Sequence, residues 1–101
     1  MNPNDPRITE YHNDLQKYQF LGNLFLDFSF RSFFSSNVPC DTITLHYGLE
    51  YLKAQLKLNA VTSQQHSDEA IEHRLKEIDE DIRHLEATLH HDLAFRGLLR
   101  P

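Results

Sequence analysis

The stretch from Ser67 to Phe95 spaces its apolar residues at alternating steps of four and three, which constrains the fold more than any other feature of the chain. Six residues share one stripe of an α-helix, namely Ile71, Leu75, Ile78, Ile82, Leu85 and Leu89. Polar residues occupy the remaining sides, as expected for a helix that packs by one face. The sequence therefore predicts one continuous amphipathic helix over residues 68–95.

The ends of this helix carry their own signals. Ser67 is a favourable N-cap, and Asp68 and Glu69 place negative charge in the first turn, where the helix dipole favours it. Gly97 supplies the residue type that most often ends a helix. The short tail that follows, Leu98 to Pro101, presents an apolar pair that we expect to dock on the helix.

A first helix is predicted from residue 6 to about residue 30. Asp5 followed by Pro6 is typical of a helix start, because the carboxylate accepts from free backbone N–H groups and proline tolerates the first helical position. Apolar or aromatic residues then recur at steps of three and four: Ile8, Tyr11, Leu15 and Tyr18. This spacing indicates an amphipathic helix.

The second half of this helix is unusually rich in phenylalanine. Six of the seven phenylalanines fall between Phe20 and Phe34. The segment is either the most buried helix of the protein, or a helix with one face in the core and the other in a subunit interface. We favour the interface. The residues predicted to mediate self-association are Phe20, Leu24, Phe25, Phe28, Phe33 and Phe34. A short extended piece at residues 28–31 is an alternative local structure.

The segment from Ile43 to Leu58 carries two competing patterns. Alternate residues from Ile43 to Tyr51 are apolar, as in a strand, whereas Leu45, Leu49, Leu52 and Leu56 recur at helical steps. We favour a helix over about residues 42–58, since the segment is rich in helix formers and a lone strand would have no partner. Gly48 then marks a close helix–helix approach, and residues 59–66 form a loop.

The flanks of the apolar stripe predict how the helices pair. The stripe follows a heptad repeat, and Glu72, Asp79 and Glu86 run along one side of it. A parallel copy would place acids beside acids, whereas Lys53 and Lys57 of the second helix suit an antiparallel neighbour. The predicted fold is all-α, a single domain over residues 1–101. It is a three-helix bundle-like protein whose long C-terminal helix lies in an antiparallel hairpin, with the first helix across or beside it.

Composition narrows the classes of function. The net charge is −5, with six acidic and five basic residues in 1–60 (hence −1) and nine acidic and five basic residues in 61–101 (hence −4). This balance disfavours nucleic-acid binding, because the few basic residues are dispersed along the sequence.

Cys40 is the sole cysteine, which fits a reducing compartment. Neither a signal peptide nor an apolar run of about 20 residues is present, so we expect a cytoplasmic protein without a membrane span.

The acidic C-terminal helix suggests a surface for a basic protein partner. The residues predicted to bind it are Glu72, Glu77, Asp79, Glu80 and Asp81. Three histidines follow a glutamate by four residues: Glu69–His73, Glu80–His84 and Glu86–His90. These pairs form either a pH-sensitive face or an ordinary solvated one, and we favour the ordinary face.

Sites for catalysis or metal binding are less well supported by the sequence. Glu77, Glu80, His84 and His91 share one side of the predicted helix, but only Glu50 and His46 would face them from the second helix. That set lacks the facing carboxylates of a di-iron bundle, so no metal and no cofactor are predicted. Cys40 lies near a predicted helix start, yet no third catalytic group accompanies it, and we expect no enzymatic activity.

One resemblance supplies an alternative. The run from His46 to Ala54, followed after a loop by His66 and Ser67, resembles the central helices of HEPN-type helical domains. Some of those domains are ribonucleases with an Arg…His motif, and the resemblance implies RNA binding or cleavage through Arg83 and His90. Our main hypothesis is a non-enzymatic regulator, inhibitor or chaperone-like adaptor. It would form a homodimer or higher oligomer and bind a partner protein through its acidic face.

Overall fold

Three helices account for most of the chain that the structure describes. The computed structural model describes residues 5–32, 40–63 and 67–100, with side chains described everywhere in these ranges except at 24–32 and 40. The helices are α1 (Pro6–Ser32), α2 (Thr42–Thr62) and α3 (Asp68–Phe95). Two-residue strands, β1 (Cys40–Asp41) and β2 (Leu99–Arg100), pair in parallel, with Cys40 opposite Leu99. The all-α prediction is confirmed, and the helix alternative for residues 43–48 is the one observed.

Side-chain caps begin all three helices. The Asp5 carboxylate accepts from the backbone N–H of Arg7 at 2.9 Å, as the sequence predicted for this position. Asp41 accepts from the Thr44 N–H at 2.6 Å, and the Ser67 hydroxyl accepts from the Ala70 N–H at 3.2 Å. Each cap satisfies a donor that the first helical turn leaves unpaired.

The end of α3 is a Schellman motif. Gly97 adopts a φ of +70°, the left-handed conformation that glycine tolerates best. The Gly97 N–H then donates to the Ala94 carbonyl at 3.0 Å, and the Leu98 N–H donates to the Leu93 carbonyl at 2.8 Å. This turn carries Leu98 into the core, so the expected docking of the tail is confirmed.

The helices run up, down and up. His46 of α2 pairs with Glu86 of α3, whereas Val61 at the other end of α2 packs with Ile71, so these two helices are antiparallel as predicted. Tyr11 of α1 lies in the same cluster as Val61, and Tyr18 stacks on Tyr47. Helix α1 is therefore antiparallel to α2 as well, and α2 is the central helix that contacts both neighbours.

The core follows the predicted stripe with one exception. Leu45 and Leu49 of α2 and Ile78 of α3 are fully buried at its centre. Five of the six stripe residues of α3 are buried, but Leu85 is 37% exposed, and Leu93 is buried in a position that the stripe did not include. Leu85 points roughly 50° away from the mean direction of the buried residues, at about 100° of rotation per residue.

Helix α2 extends four residues beyond the predicted end at Leu58. The polar composition of residues 59–66 indicated a loop, yet Val61 is buried against Tyr11, Ile71 and Leu75. Burial of this one side chain stabilises a last helical turn that local propensity does not favour.

A close helix contact that glycine permits is at Gly22, whereas the close approach expected at Gly48 stays a prediction. Gly48 is buried. At position 22, the Cβ atom of any residue larger than glycine would overlap the Cβ and Cγ atoms of Tyr51.

Among the described residues, no helix has a stretch both long enough and apolar enough to span a membrane.

Candidate interaction surfaces

Helix α1 has an inner face that packs on α2 and an outer face turned away from it. Tyr11 is 7% exposed on the inner face, and the rings of Tyr18 and Tyr47 stack with centroids 5.3 Å apart. Phe20 lies nine residues after Tyr11, which places it on the opposite side at about 100° per residue. Its side chain is 77% exposed. Phe20 is thus an aromatic residue in water on the side of α1 that α2 does not cover.

The structure describes less of the other residues that were predicted to mediate self-association. Leu24, Phe25 and Phe28 belong to α1, but their side chains lie outside the described part of the structure. Phe33 and Phe34 lie outside the described residues altogether. Self-association through this segment remains a prediction. Of the six residues predicted to mediate it, Phe20 is the one whose side chain the structure describes.

Ion pairs between helices form a ladder along one side of α3. Arg7 of α1 donates to Glu72 at 2.8 Å, and Lys57 of α2 lies 2.6 Å from Asp79. The Nδ1 atom of His46 lies 2.9 Å from the Glu86 carboxylate. The expected match between Lys57 and an acid of α3 is confirmed, whereas Lys53 lies 2.9 Å from Glu50 of its own helix.

The ladder divides the five acids that were predicted to bind a partner. Glu72 and Asp79 belong to it and therefore neutralise cations of this chain. Glu77 lies on the other side of α3, 2.9 Å from His73 and 3.3 Å from Arg74, and Asp81 is 3.9 Å from Arg74. Glu80 is exposed on the outermost side of the helix. The acids therefore surround α3 instead of forming one face.

The histidine pairs also differ from the sequence prediction. His73 pairs with Glu77, four residues after it, rather than with the predicted Glu69. Glu86 pairs with His46 of the neighbouring helix α2 rather than with His90 of its own helix. Spacing along one helix could not reveal these choices, because a carboxylate has several partners within reach. Among the described residues, no group of three or more His, Cys, Asp or Glu side chains is arranged to hold a metal ion.

An apolar groove separates the end of α2 from the start of α3, on the side away from the ladder. Its volume is about 430 Å³. The residues that line it are Leu56, Asn59, Ala60, Ser63, Ala70, Ile71, His73, Arg74 and Glu77. Sequence reasoning missed this groove because it treated residues 59–66 as a loop. The signal that was available is a set of small residues beside the core positions Leu56 and Ile71.

A smaller pocket of about 260 Å³ contains Arg83, the arginine of the HEPN-like alternative. Glu50, Asp79 and Glu86 line the same pocket, against the two bases Lys53 and Arg83. His90 lies two helical turns away on the same flank of α3, about 10 Å along the helix axis. This surplus of carboxylates suits the interhelical ladder better than it suits an RNA phosphate.

The start of α1 is fixed by a charged network. Arg7 donates to both carboxylate oxygens of Asp5, with Nη2 at 2.7 Å from Oδ2, and also to Glu72. The hydrogen bonds from the Arg7 side chain and then from its backbone hold the pKa of Asp5 below its usual value. At the start of α2, the Thr44 backbone N–H lowers the pKa of Asp41 in the same way. Both carboxylates therefore stay ionised and keep their helix caps well into mild acid.

Tyr11 gives the fold a dependence on alkaline pH. Burial, assisted by the charge of Glu10, raises the pKa of its hydroxyl group. A raised pKa in the folded state means that the stabilisation is complete below the unfolded value near pH 10 and is lost as the pH rises past it. We expect the free energy of unfolding to fall more steeply above about pH 10 in the wild type than in Tyr11→Phe. Urea titrations from neutral pH upwards measure this difference, and parallel curves for the two proteins would rule out Tyr11 as the cause.

Comparison of the chain with protein-family models, with curated protein sequences and with solved structures found no match. Its function must therefore be argued from its own surfaces.

Proposed function

We propose that the chain is a non-enzymatic protein-binding module, a small regulator, inhibitor or adaptor, that self-associates through the outer face of α1. The observation that carries this proposal is the position of Phe20. Its ring is 77% exposed, whereas the opposite side of the same helix packs on α2. Large contiguous apolar patches on soluble proteins usually mark contacts with another molecule. Phe20, unlike an isolated exposed ring, is followed in the sequence by Leu24, Phe25 and Phe28.

The neighbours of Phe20 support a protein interface. Thr9, Asn13 and Gln16 share its side of α1 at helical spacing, and all three are exposed and uncharged. A patch that has an aromatic residue and lacks charge resembles the centre of a protein interface, where charged residues are depleted. The outer face of α1 is therefore easily desolvated.

A second copy of the chain suits this face because the flanking charges are complementary. Glu10 and Lys17 are seven residues apart and so lie on one flank of α1. A two-fold axis that relates two antiparallel α1 helices brings that flank against itself. Glu10 of each copy then lies near Lys17 of the other, and charge pairs at the rim of an interface set its orientation. We infer an antiparallel contact between two α1 helices.

The partner-binding role of α3 follows from its remaining acids. Glu80 and Asp81 are exposed, and residues 61–101 carry a net charge of −4. Glu72 and Asp79, by contrast, are engaged in the ladder. The proposed partner has a basic surface, and its association should weaken as salt concentration rises.

The test of self-association is a matched pair of substitutions. Phe20→Asp and Phe95→Asp each replace an exposed phenylalanine, 77% and 88% exposed respectively, but on different helices. Neither should unfold the chain, since neither ring is buried. We expect Phe20→Asp to shift the protein to a monomer at micromolar concentration in sedimentation velocity, because the dimer would bury a carboxylate without a partner.

The control should keep the oligomeric state of the wild type. If Phe20→Asp and Phe95→Asp behave alike, whether both dissociate or neither does, the interface is not on α1. Circular dichroism of both variants confirms that the helices are intact before the masses are compared.

A further inference from the structure

Helices α1 and α3 each carry a charged residue that the fold leaves without a partner. Asp14 of α1 is partly buried, and Arg83 of α3 is exposed. Among the described residues, neither of these side chains makes an ion pair or a hydrogen bond. Asp79, one turn before Arg83, is already occupied by Lys57. A carboxylate and a guanidinium of opposite charge are therefore available on the two helices that flank α2.

Helical spacing places these two residues on facing flanks. Asp14 comes seven residues after Arg7 and shares its flank of α1, at about 100° of rotation per residue. Arg83 comes eleven residues after Glu72 and shares its flank of α3 by the same rule. Arg7 and Glu72 are themselves in contact at 2.8 Å. The flank of α1 that carries Asp14 therefore faces the flank of α3 that carries Arg83.

The two residues also lie at nearly the same level of the bundle. The Nζ atom of Lys57 lies 2.6 Å from Asp79 and 5.8 Å from the centre of the Tyr11 ring, which places Asp79 and Tyr11 at one level. Helices α1 and α3 run in the same direction, since both are antiparallel to α2. Asp14 lies three residues beyond Tyr11, or about 4.5 Å. Arg83 lies four residues beyond Asp79, or about 6 Å, so the two levels differ by only about 1.5 Å.

A polar pocket of about 260 Å³ lies on this side of α3, beside Arg83. Its lining residues belong to α2 and α3, and helix α1 faces the pocket without lining it. Two further carboxylates of the lining have partners of their own, since Glu50 contacts Lys53 and Glu86 contacts His46. Arg83 is thus the charge of the lining that remains open to a residue from α1.

We propose that α1 closes over this pocket and is held in the closed state by an ion pair between Asp14 and Arg83. The structure shows the open state, in which the contact of Arg7 with Glu72 joins α1 to α3 at one end. Only a small approach is needed, because arginine with aspartate is one methylene shorter than the arginine–glutamate pair that already joins the same helices. Closing concerns a single chain and goes beyond the self-association proposed above.

The separation of α1 from α3 within one chain reports closing. Spin labels at His12→Cys and His84→Cys, in a full-length chain with Cys40→Ser, occupy exposed positions near the pair without replacing it. Dilution with unlabelled chain removes the distances between copies. We expect double electron–electron resonance to show two separations, and about 1 M salt to deplete the shorter one, because salt screens exposed charges.

Matched variants assign the shorter separation to the ion pair. Arg83→Gln should reduce its population by up to about fivefold, which is the most that an exposed ion pair supports. Arg74→Gln makes the same chemical change on the opposite flank of α3 and should leave the distribution unchanged. Asp14→Asn should act like Arg83→Gln, and combining the two should have no further effect, because either change alone removes the pair.

The remaining outcomes would overturn the proposal. A single separation that salt does not change means that α1 does not close. Equal effects of Arg83→Gln and Arg74→Gln mean that no specific pair is involved. If the effects of Asp14→Asn and Arg83→Gln add, the two residues do not contact each other. Self-association is tested separately by Phe20→Asp and stands or falls without this result.

Discussion

Leu49→Ala is expected to lower the free energy of unfolding by about 3 to 5 kcal/mol, the cost of a cavity in a well-packed core. Leu49 is 1% exposed and lies in the same buried cluster as Leu45 and Ile78, at the interface of α2 with α3. Domains of this size have a total stability of about 5–15 kcal/mol, so the variant should be near the limit of folding. Urea denaturation followed by circular dichroism measures the change.

Leu85→Ala is the matched control for this prediction. The chemical change is the same and the residue is again helical, but Leu85 is 37% exposed. We expect it to cost clearly less, about 1 to 2 kcal/mol, because more than a third of the Leu85 side chain stays exposed and its truncation leaves no enclosed cavity. Equal losses for the two variants would mean that the apolar stripe packs through its whole length and that Leu85 is covered by another molecule.

Gly22→Ala is expected to destabilise the protein by about 1 to 3 kcal/mol, the usual cost of overpacking. The direction of this change in the free energy of unfolding is informative. Alanine is favoured over glycine in a helix by about 1 kcal/mol and, without the contact with α2, would stabilise α1. The new methyl group would overlap the Cβ and Cγ atoms of Tyr51, so α1 must move away from α2 or the tyrosine must leave its place. Thermal unfolding compared with the wild type tests the prediction.

Asn23→Ala shows what helix propensity alone contributes at the next position. Asn23 is exposed, so its replacement should leave stability unchanged or raise it slightly. If Gly22→Ala stabilises the protein as much as Asn23→Ala does, then α1 does not approach α2 closely at this point, and the packing of these two helices must be revised.

Much of the fold follows from local patterns in the sequence. The heptad stripe, the cap residues Asp5 and Ser67 and the stop at Gly97 predict where α3 lies and where helices begin, because each signal acts over one or two turns. The antiparallel pairing of α2 with α3 also follows, since it depends on charges beside a known stripe. Predicting these features requires no knowledge of where α1 packs.

Other features depend on contacts between segments far apart in the chain. Val61 extends α2 because Tyr11 and Ile71 bury it, and Leu85 is exposed because it points about 50° away from the side of α3 that the other helix covers. The same limit applies to the surfaces. The sequence assigned Glu72 and Asp79 to a partner-binding surface, whereas Arg7 and Lys57 neutralise them within the chain. The apolar groove exists only once α2 and α3 lie side by side.

The mass of the wild-type chain in solution decides whether the protein self-associates. Sedimentation equilibrium at micromolar concentration should give about twice the chain mass of 11.9 kDa, or a higher multiple, because the outer face of α1 is expected to be covered by a second copy. A mass equal to that of a single chain at every concentration would contradict the account. Phe20 would then be an exposed aromatic residue of a monomer, and self-association would be no part of its function.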